Sequence, residues 1–412
     1  MMSATALALM LGISLGTLSA LRRQSGFDYG TQAIGFFLLS VPTFVTALIF
    51  RIWGAIPVND FISDPTIHWY WAFGLALVMG GIWSAIIGGN STRRWLVFSI
   101  SALVTGIALG SIIPTGWFSR PRLGYVGVAV LGLIVALGAV AVTSRRITWR
   151  DCRAPIFTVA LGVALKFPLQ WVFQPFAASW PLLLGLAIIA TGSGLLIGML
   201  LSGNDRRTTI RNTVVSALAT GAFIVIDRLL AVWPYYLALP FVNHRPIPTF
   251  NMARPGIPSD FWFQTWDTLL HWSGPVLALC LASFAIYAAY TRASLIDVLD
   301  SDYVRTARGK GLPEQVVVVR HSLRNALLPL TTIAPTDMAG LFIGALIIEP
   351  IFGIPGIGRQ FRTMFVLTEH GWMVSVHPYM AIILLGGTLV VVTSLIVDLI
   401  YAILDPRIRI VN

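Results

Sequence analysis

An all-α, polytopic membrane protein with about eleven crossings is the fold class this sequence predicts, and three observations predict it. Of its 412 residues, 56% are hydrophobic and only 11% charged, against about a quarter charged in soluble globular chains. Apolar runs of spanning length, about 20 residues, recur along the whole chain. Basic residues gather in every second gap between those runs, as they do on the cytoplasmic side of membrane proteins.

The first run, 3–21, is basic only at its far end, at Arg22 and Arg23. A cleavable signal peptide carries its basic residues first, so the run reads as a spanning helix with its N-terminus outside. Further runs fall at 31–53, 68–88, 95–113, 123–143, 154–173, 179–201, 212–233, 272–291, 326–349 and 378–404. Glycine and alanine are frequent within them, which suits helices that approach closely in lipid. With the N-terminus outside, nineteen of the 28 basic residues fall in inner loops, including Arg93, Arg94, Arg145, Arg146, Arg206, Arg207 and Arg292, with Arg407 and Arg409 at a cytoplasmic C-terminus. The net charge of +11 is therefore a topology signal, and a nucleic-acid partner is not expected.

The outer segments differ in character. Residues 234–271 are rich in proline and aromatics, and Trp262, Phe263 and Trp266 read as rings anchored at headgroup level. The segment Glu349–Gly371 combines glycine-proline turns with a short amphipathic stretch. Cys152 and Cys280 lie far apart and suggest no disulfide framework. No GxxxxGK[ST] loop is present, so energy must come from another subunit or an ion gradient. The six histidines are scattered, and no metal or cofactor is expected. Intramembrane carboxylates are costly and mark cavities or partners. Asp337, with Glu349 at the end of the same run, is the candidate for a translocation path. Lys166, inside a span, reads as a snorkelling side chain or the mark of a helix break at Pro168.

One inner loop, 292–325, is far longer than the rest. Its first part places Leu295, Val298 and Leu299 on one face. Gly309 and Gly311 are turn material. Pro313 then opens a second helix without losing a backbone hydrogen bond, and Glu314 sits at its positive end. Helix, turn, helix makes a protruding elbow, either solvated surface or a knob for a soluble partner.

The string YVRTARGKGL followed by RHSLRNALLP, Tyr303 to Pro329, resembles the EAA loop of permease subunits of bacterial ABC importers, in the oligopeptide, dipeptide and nickel branch. Of the family's Glu-Ala-Ala triplet and glycine, the positions here are Arg305, Thr306, Ala307 and Gly311, so only the second alanine and the glycine hold. Ser40 to Phe44, the string GALIIEPIFGIPGIGRQF and the ending DLIYAILDPRIRI resemble other parts of the same permeases. The resemblance implies a type I permease core in two parts, 1–60 and 266–412, divided by an inserted membrane segment of six helices at 61–265. The family's first core helix has no counterpart, and a late start of the sequence is the expected reason.

What the resemblance implies functionally is uptake of short peptides or a related small solute, in the bacterial inner membrane, by a chain that is not itself an enzyme. The implied partners are cytoplasmic ABC ATPase subunits, a second related permease and an extracytoplasmic substrate-binding protein. The ATPase-coupling residues would be Tyr303, Arg305, Thr306, Ala307, Arg308, Gly309, Gly311, Pro313, Arg320, Asn325 and Pro329. A membrane scaffold that does not transport, and a secondary transporter independent of any ATPase, are the competing readings.

Overall fold

The computed structural model describes the chain except residues 67, 113, 144–147, 173–177, 203–204, 364, 369–370, 375 and 405–412. The side chains of 170–172, 315, 320, 343, 362–375, 397–398 and 400–404 also lie outside the description. Among the described residues, ten helices are long and apolar enough to cross a membrane, or eleven if a bent pair counts as one span.

Small residues dictate the central packing. Helix α1 (Met2–Leu21) carries Ala4, Ala8, Gly12, Gly16 and Ala20 at every fourth position, all buried. That stripe faces the 39-residue helix α11 (Phe261–Leu299). Ala4 lies in a cluster with Ala278 and Leu279, and Ala20 in one with Leu295, so the two helices run parallel. A Cβ on Gly12 would fall 2.5 Å from that of Tyr287, and one on Gly16 would fall 2.6 Å from the Ala288 carbonyl. Only glycine permits such backbone approach.

At 1.5 Å per residue α11 is about 58 Å long, nearly twice a hydrocarbon core of about 30 Å. It therefore absorbs three stretches that the sequence divides: the outer aromatic segment, the span and the first part of the elbow. Trp262, Phe263 and Trp266 thus lie on the first turns of this helix, Trp266 packed against Leu229 and Trp233, and not in a separate outer segment. Trp262 is buried, the Trp266 indole donates to the Leu229 carbonyl at 2.8 Å, and its ring lies 4.5 Å from that of Trp233. A buried indole N–H finds its hydrogen-bond partner in this way.

The predicted span 31–53 is also redrawn. Helix α2 (Gly26–Ser40) stops before Pro42, whose missing N–H and steric demand break the ladder. Helix α3 (Thr43–Ile49) then continues through a π turn, Phe50–Ala55, into α4 (Ile56–Ser63).

Six helices follow, as the sequence predicts: α5 (Trp69–Ile87), α6 (Ser91–Ile112), α7 (Gly124–Thr143), α8 (Trp149–Val172), α9 (Trp180–Leu200) and α10 (Arg206–Leu237). Helices α5 and α6 pair as a hairpin, closed by Gly80 beneath Phe98. Helices α7 to α10 form a second body around α10, where Gly132 and Gly162 meet Thr220, and Gly194 and Gly198 meet Thr213. Lys166 neither snorkels nor marks a break: α8 runs on through Pro168. The Lys166 ammonium is buried 2.7 Å from Asp227 and 4.5 Å from the Tyr125 ring centroid. Asp227 also accepts from the Leu123 and Gly124 amides. A cation buried this deeply must be paired.

The chain closes with α12 (Asp302–Gly309), α13 (Glu314–Val316), a π turn at Val317–Ser322, α14 (Leu323–Ala326) and α15 (Leu328–Phe352). Helix α15 is bent by 48° between Leu328–Phe342 and Gly344–Phe352. After α16 (Ile357–Thr363), a two-stranded hairpin, β1 (Phe365–Thr368) with β2 (Gly371–Val374), departs from the expected all-helical pattern. Helix α17 (Val376–Leu404) packs on α15.

Gly12→Val is expected to lower the unfolding free energy by about 2 kcal/mol or more through overpacking. Gly106→Ala, in open space on α6, is expected to be neutral or stabilising by about 0.5 kcal/mol. Thermal unfolding of the two variants in one detergent separates them.

Candidate functional site: a basic elbow and the ion pair beneath it

The elbow begins where α11 runs out. Helix α12 starts behind Ser301 and ends in a turn at Lys310–Leu312, with Gly311 at φ +72°. That left-handed conformation suits glycine, and the Gly311 amide donates to the Arg308 carbonyl. Gly309, expected in the turn, is instead the last helical residue. Pro313 caps α13, as the sequence predicts, with Glu314 in its first turn.

The elbow has its own core. Val304, Ala307 and Val317 are buried against Val298, Leu299 and Leu312. Burying a valine contributes about 1.5–3 kcal/mol, more than the polar contacts around it. Ala307, the one position shared with the Glu-Ala-Ala triplet, shares this small core with Val317. The π turn widens the second helix, and the buried Ser322 hydroxyl donates to the Val317 carbonyl.

Two polar latches close the surface. Arg308 donates twice to Glu314, at 2.8 and 3.2 Å, and Asn325 donates to the Tyr303 hydroxyl at 2.9 Å. The Arg308 hydrogen bonds hold the Glu314 carboxyl below its ordinary range. Both partners are solvated, so the pair contributes about 0.2–1 kcal/mol. Tyr303, Arg305, Thr306, Arg308, Lys310, Gly311 and Asn325 are all exposed. Arg305 lies 3.7 Å from Asp302. Pro329 stands in the first turn of α15, and Arg320 lies on the π turn with its side chain outside the description.

Beneath the elbow lies an interaction that sequence reasoning missed. Asp28, 1% exposed, accepts from the Nε and Nη2 of Arg292, one edge of the guanidinium, at 2.6 and 2.8 Å. The Ser19 hydroxyl, the Gln24 backbone amide and the Gln32 side-chain amide also donate to it. Three helices therefore meet on one carboxylate: α1 through Ser19, α2 through Asp28 and α11 through Arg292. The Arg292 hydrogen bonds outweigh desolvation and hold the Asp28 carboxyl well below the usual carboxylate range. The available signal was an acid in the first turn of a helix, facing an arginine at a span end.

The candidate path residues are not brought together. Asp337 accepts from the hydroxyl of the fully buried Tyr287 at 2.7 Å, which ties α15 to α11. Glu349 accepts from the Gly358 amide at 2.6 Å and packs against Gly356, so it closes the turn into α16. At the other end of the molecule, Asp267 accepts from Tyr236 and from the Arg254 amide. Arg254 in turn donates to the Arg245 and Pro246 carbonyls, and the connection between α10 and α11 is pinned there. Among the described residues no group of His, Cys, Asp and Glu is arranged to hold a metal.

Among the described residues, ten or eleven apolar helices of spanning length with a self-packed basic elbow at one end define a helical polytopic membrane protein. The family model described as "Binding-protein-dependent transport system inner membrane component" matches residues 12–410, and the chain belongs to that family. It is a multi-pass inner-membrane permease subunit. It is 31% identical over 259 residues to the dipeptide transport system permease protein DppB of Bacillus subtilis, covering 62% of this chain and 76% of that one. It is 38% identical over 158 residues to the oligopeptide transport system permease protein OppB of Mycobacterium tuberculosis, covering 38% and 47%. With the glutathione transport system permease protein GsiC of Pectobacterium atrosepticum it shares 40% over 143 residues, covering 35% and 45%. The chain thus spans about three-quarters of the Bacillus relative and under half of the other two.

Asp28→Asn leaves Arg292 without its counter-charge and is expected to destabilise the chain by about 3 kcal/mol. Because the folded-state pKa of Asp28 is depressed, its contribution is full above the unfolded carboxylate value of about 4 and is lost as pH falls below it. Thermal unfolding between pH 7 and pH 3 should show a shallower acid loss in the variant than in the parent.

Proposed function

We propose that this chain is the transmembrane permease subunit of an ATP-driven importer, moving short peptides or a related small solute and coupling to a separate cytoplasmic ATPase through residues 300–325. The elbow carries the reading. A surface loop needs no core of its own, yet this one buries Val304, Ala307 and Val317 and keeps Arg305, Arg308 and Arg324 outside. A knob with a fixed shape is what a soluble partner can grip and push.

Its connections support a lever. The elbow continues α11 directly, and α11 is tied to α1 by the glycine stripe, to α2 by Arg292–Asp28 and to α15 by Tyr287–Asp337. Displacement of the elbow by nucleotide-driven closure of an ATPase pair would be carried to all of them, opening and closing a path between two permease chains. Asp337 and Glu349 are the path candidates, Asp337 by holding Tyr287 and Glu349 by shaping the outer turn. The second permease is a related but distinct chain, and a substrate-binding protein delivers cargo from outside. The relatives' names, for dipeptide, oligopeptide and glutathione transport, support a peptide-like cargo. Arg22, Arg23, Arg94 and Arg292 share the elbow's end of the molecule, which supports an N-terminus outside and a cytoplasmic C-terminus. Residues 61–265 form an inserted module whose even number of helices leaves the flanking core unreversed.

Gly311→Val forces a β-branched residue into a left-handed conformation with no steric obstacle around it. Membrane insertion is expected to stay normal while the ATPase recovered by affinity purification of the detergent-solubilised complex falls at least tenfold. Unchanged recovery with normal uptake would exclude the elbow as the coupling element. Replacing Arg308 by Glu and Glu314 by Arg together should restore most of what either change alone removes, since the latch needs opposite charges rather than a particular order.

A further inference from the structure

At the elbow's end of the molecule, the α5–α6 hairpin stands off from the core. Helix α6 buries no residue, and α5 touches α2 only sparsely. The wedge between them holds a cavity of about 500 Å³ lined by Arg22, Arg23, Arg94, Gly88 and Gly89, among others. Sharing Gly89 and Arg94 with it is a second cavity of about 400 Å³, lined also by Trp95 and Phe98. One compartment is basic, and the other sets Trp95 and Phe98 beside Ser84, Ser91 and Arg94.

The charges in the wedge are unbalanced. Arg22 donates to the Ala85 carbonyl at 2.8 Å, which crosses from core to hairpin and leaves its charge uncompensated. Arg23 meets Asp300 at 3.3 Å in solvent. Arg94 has no ion-pair partner among the described residues, and Asp28 is already engaged by Arg292. Gly88 and Gly89, at φ +64° and +110°, lower the wall beside Arg22 and Arg93. Arginines at span ends are expected on topological grounds alone. Their convergence from two separate helices on a roomy cleft beside an apolar groove is not.

We infer that this wedge is a binding site for one anionic glycerophospholipid, its phosphodiester held by Arg22 and Arg94 and an acyl chain lying against Trp95 and Phe98. Basic clefts between helices on the cytoplasmic side select such headgroups. The bound lipid fastens the hairpin to the core. The site follows from the cavity and its charges and does not depend on the transport reading.

The test is native mass spectrometry and thermal unfolding of the purified full-length chain. It is supplied in turn with phosphatidylglycerol, phosphatidylcholine or inorganic phosphate. The expected result is one retained phosphatidylglycerol, preferred over phosphatidylcholine, and affinity falling about fivefold in Arg94→Gln and again in Arg22→Gln. Arg211→Gln, exposed at the start of α10 and away from the wedge, controls for surface charge and should leave the preference intact. Arg94 is exposed, so its variant keeps the test valid if Arg22→Gln fails to fold. The proposal is overturned by absence of a phosphatidylglycerol preference, by equal losses in Arg211→Gln, or by displacement of the lipid with inorganic phosphate alone. Transport loss with lipid retention would bear on the function and leave this site standing.

Discussion

The close parallel contact of α1 with α11, closed at one end by Arg292 on Asp28, is the constraint on which the rest of the core depends. In a bilayer, apolar area distinguishes poorly between a protein neighbour and a lipid one. Helices stay together where backbones interlock or where polar groups have no other partner. The glycine stripe supplies the first along the length of α1, and the Asp28 cluster supplies the second where the end of α1, the start of α2 and α11 come together. Without a shared carboxylate, the break at Pro42 would leave α2 free to pivot. With it, the short helix is held against α11 by a charge that cannot be released cheaply.

The elbow inherits its rigidity from this arrangement. It follows a helix that is already locked to three neighbours, so it needs only a small core and two surface latches to keep its shape. The division of labour is physical: valine burial sets the fold of the elbow, and Arg308–Glu314 and Tyr303–Asn325 trim its surface. The left-handed Gly311 sits in open space, where a conformational demand, and not crowding, selects glycine.

The six helices between the two halves of the core use the same rules with different residues. Threonines on α10 fill the notches left by glycines on α7, α8 and α9, and their hydroxyls return to the helix's own carbonyls. Lys166 and Asp227 form a buried pair backed by two amides and an aromatic ring, a second instance of charge neutralised inside the bundle. Helices α5 and α6 lack such ties, which is why their junction with the core is open.

Much of this was legible beforehand. The number of apolar runs, the six-helix middle segment, the turn at Gly311 and the Pro313 cap all follow from local rules: segment length, charge alternation and backbone preference act over a few residues. Helix ends were less legible. The 39-residue α11 reads as three stretches because its polar ends resemble loops, and the packing of Trp266 on Trp233 is not legible because an exposed and a packed aromatic look alike in one dimension. The Arg292–Asp28 pair joins residues 264 positions apart, and Lys166–Asp227 joins different helices. What the sequence by itself determined was where the chain crosses the membrane and where it turns, since those depend on each segment's own chemistry. Which charges neutralise each other, and which gap stays open, only the tertiary structure decided, because both depend on which helices become neighbours.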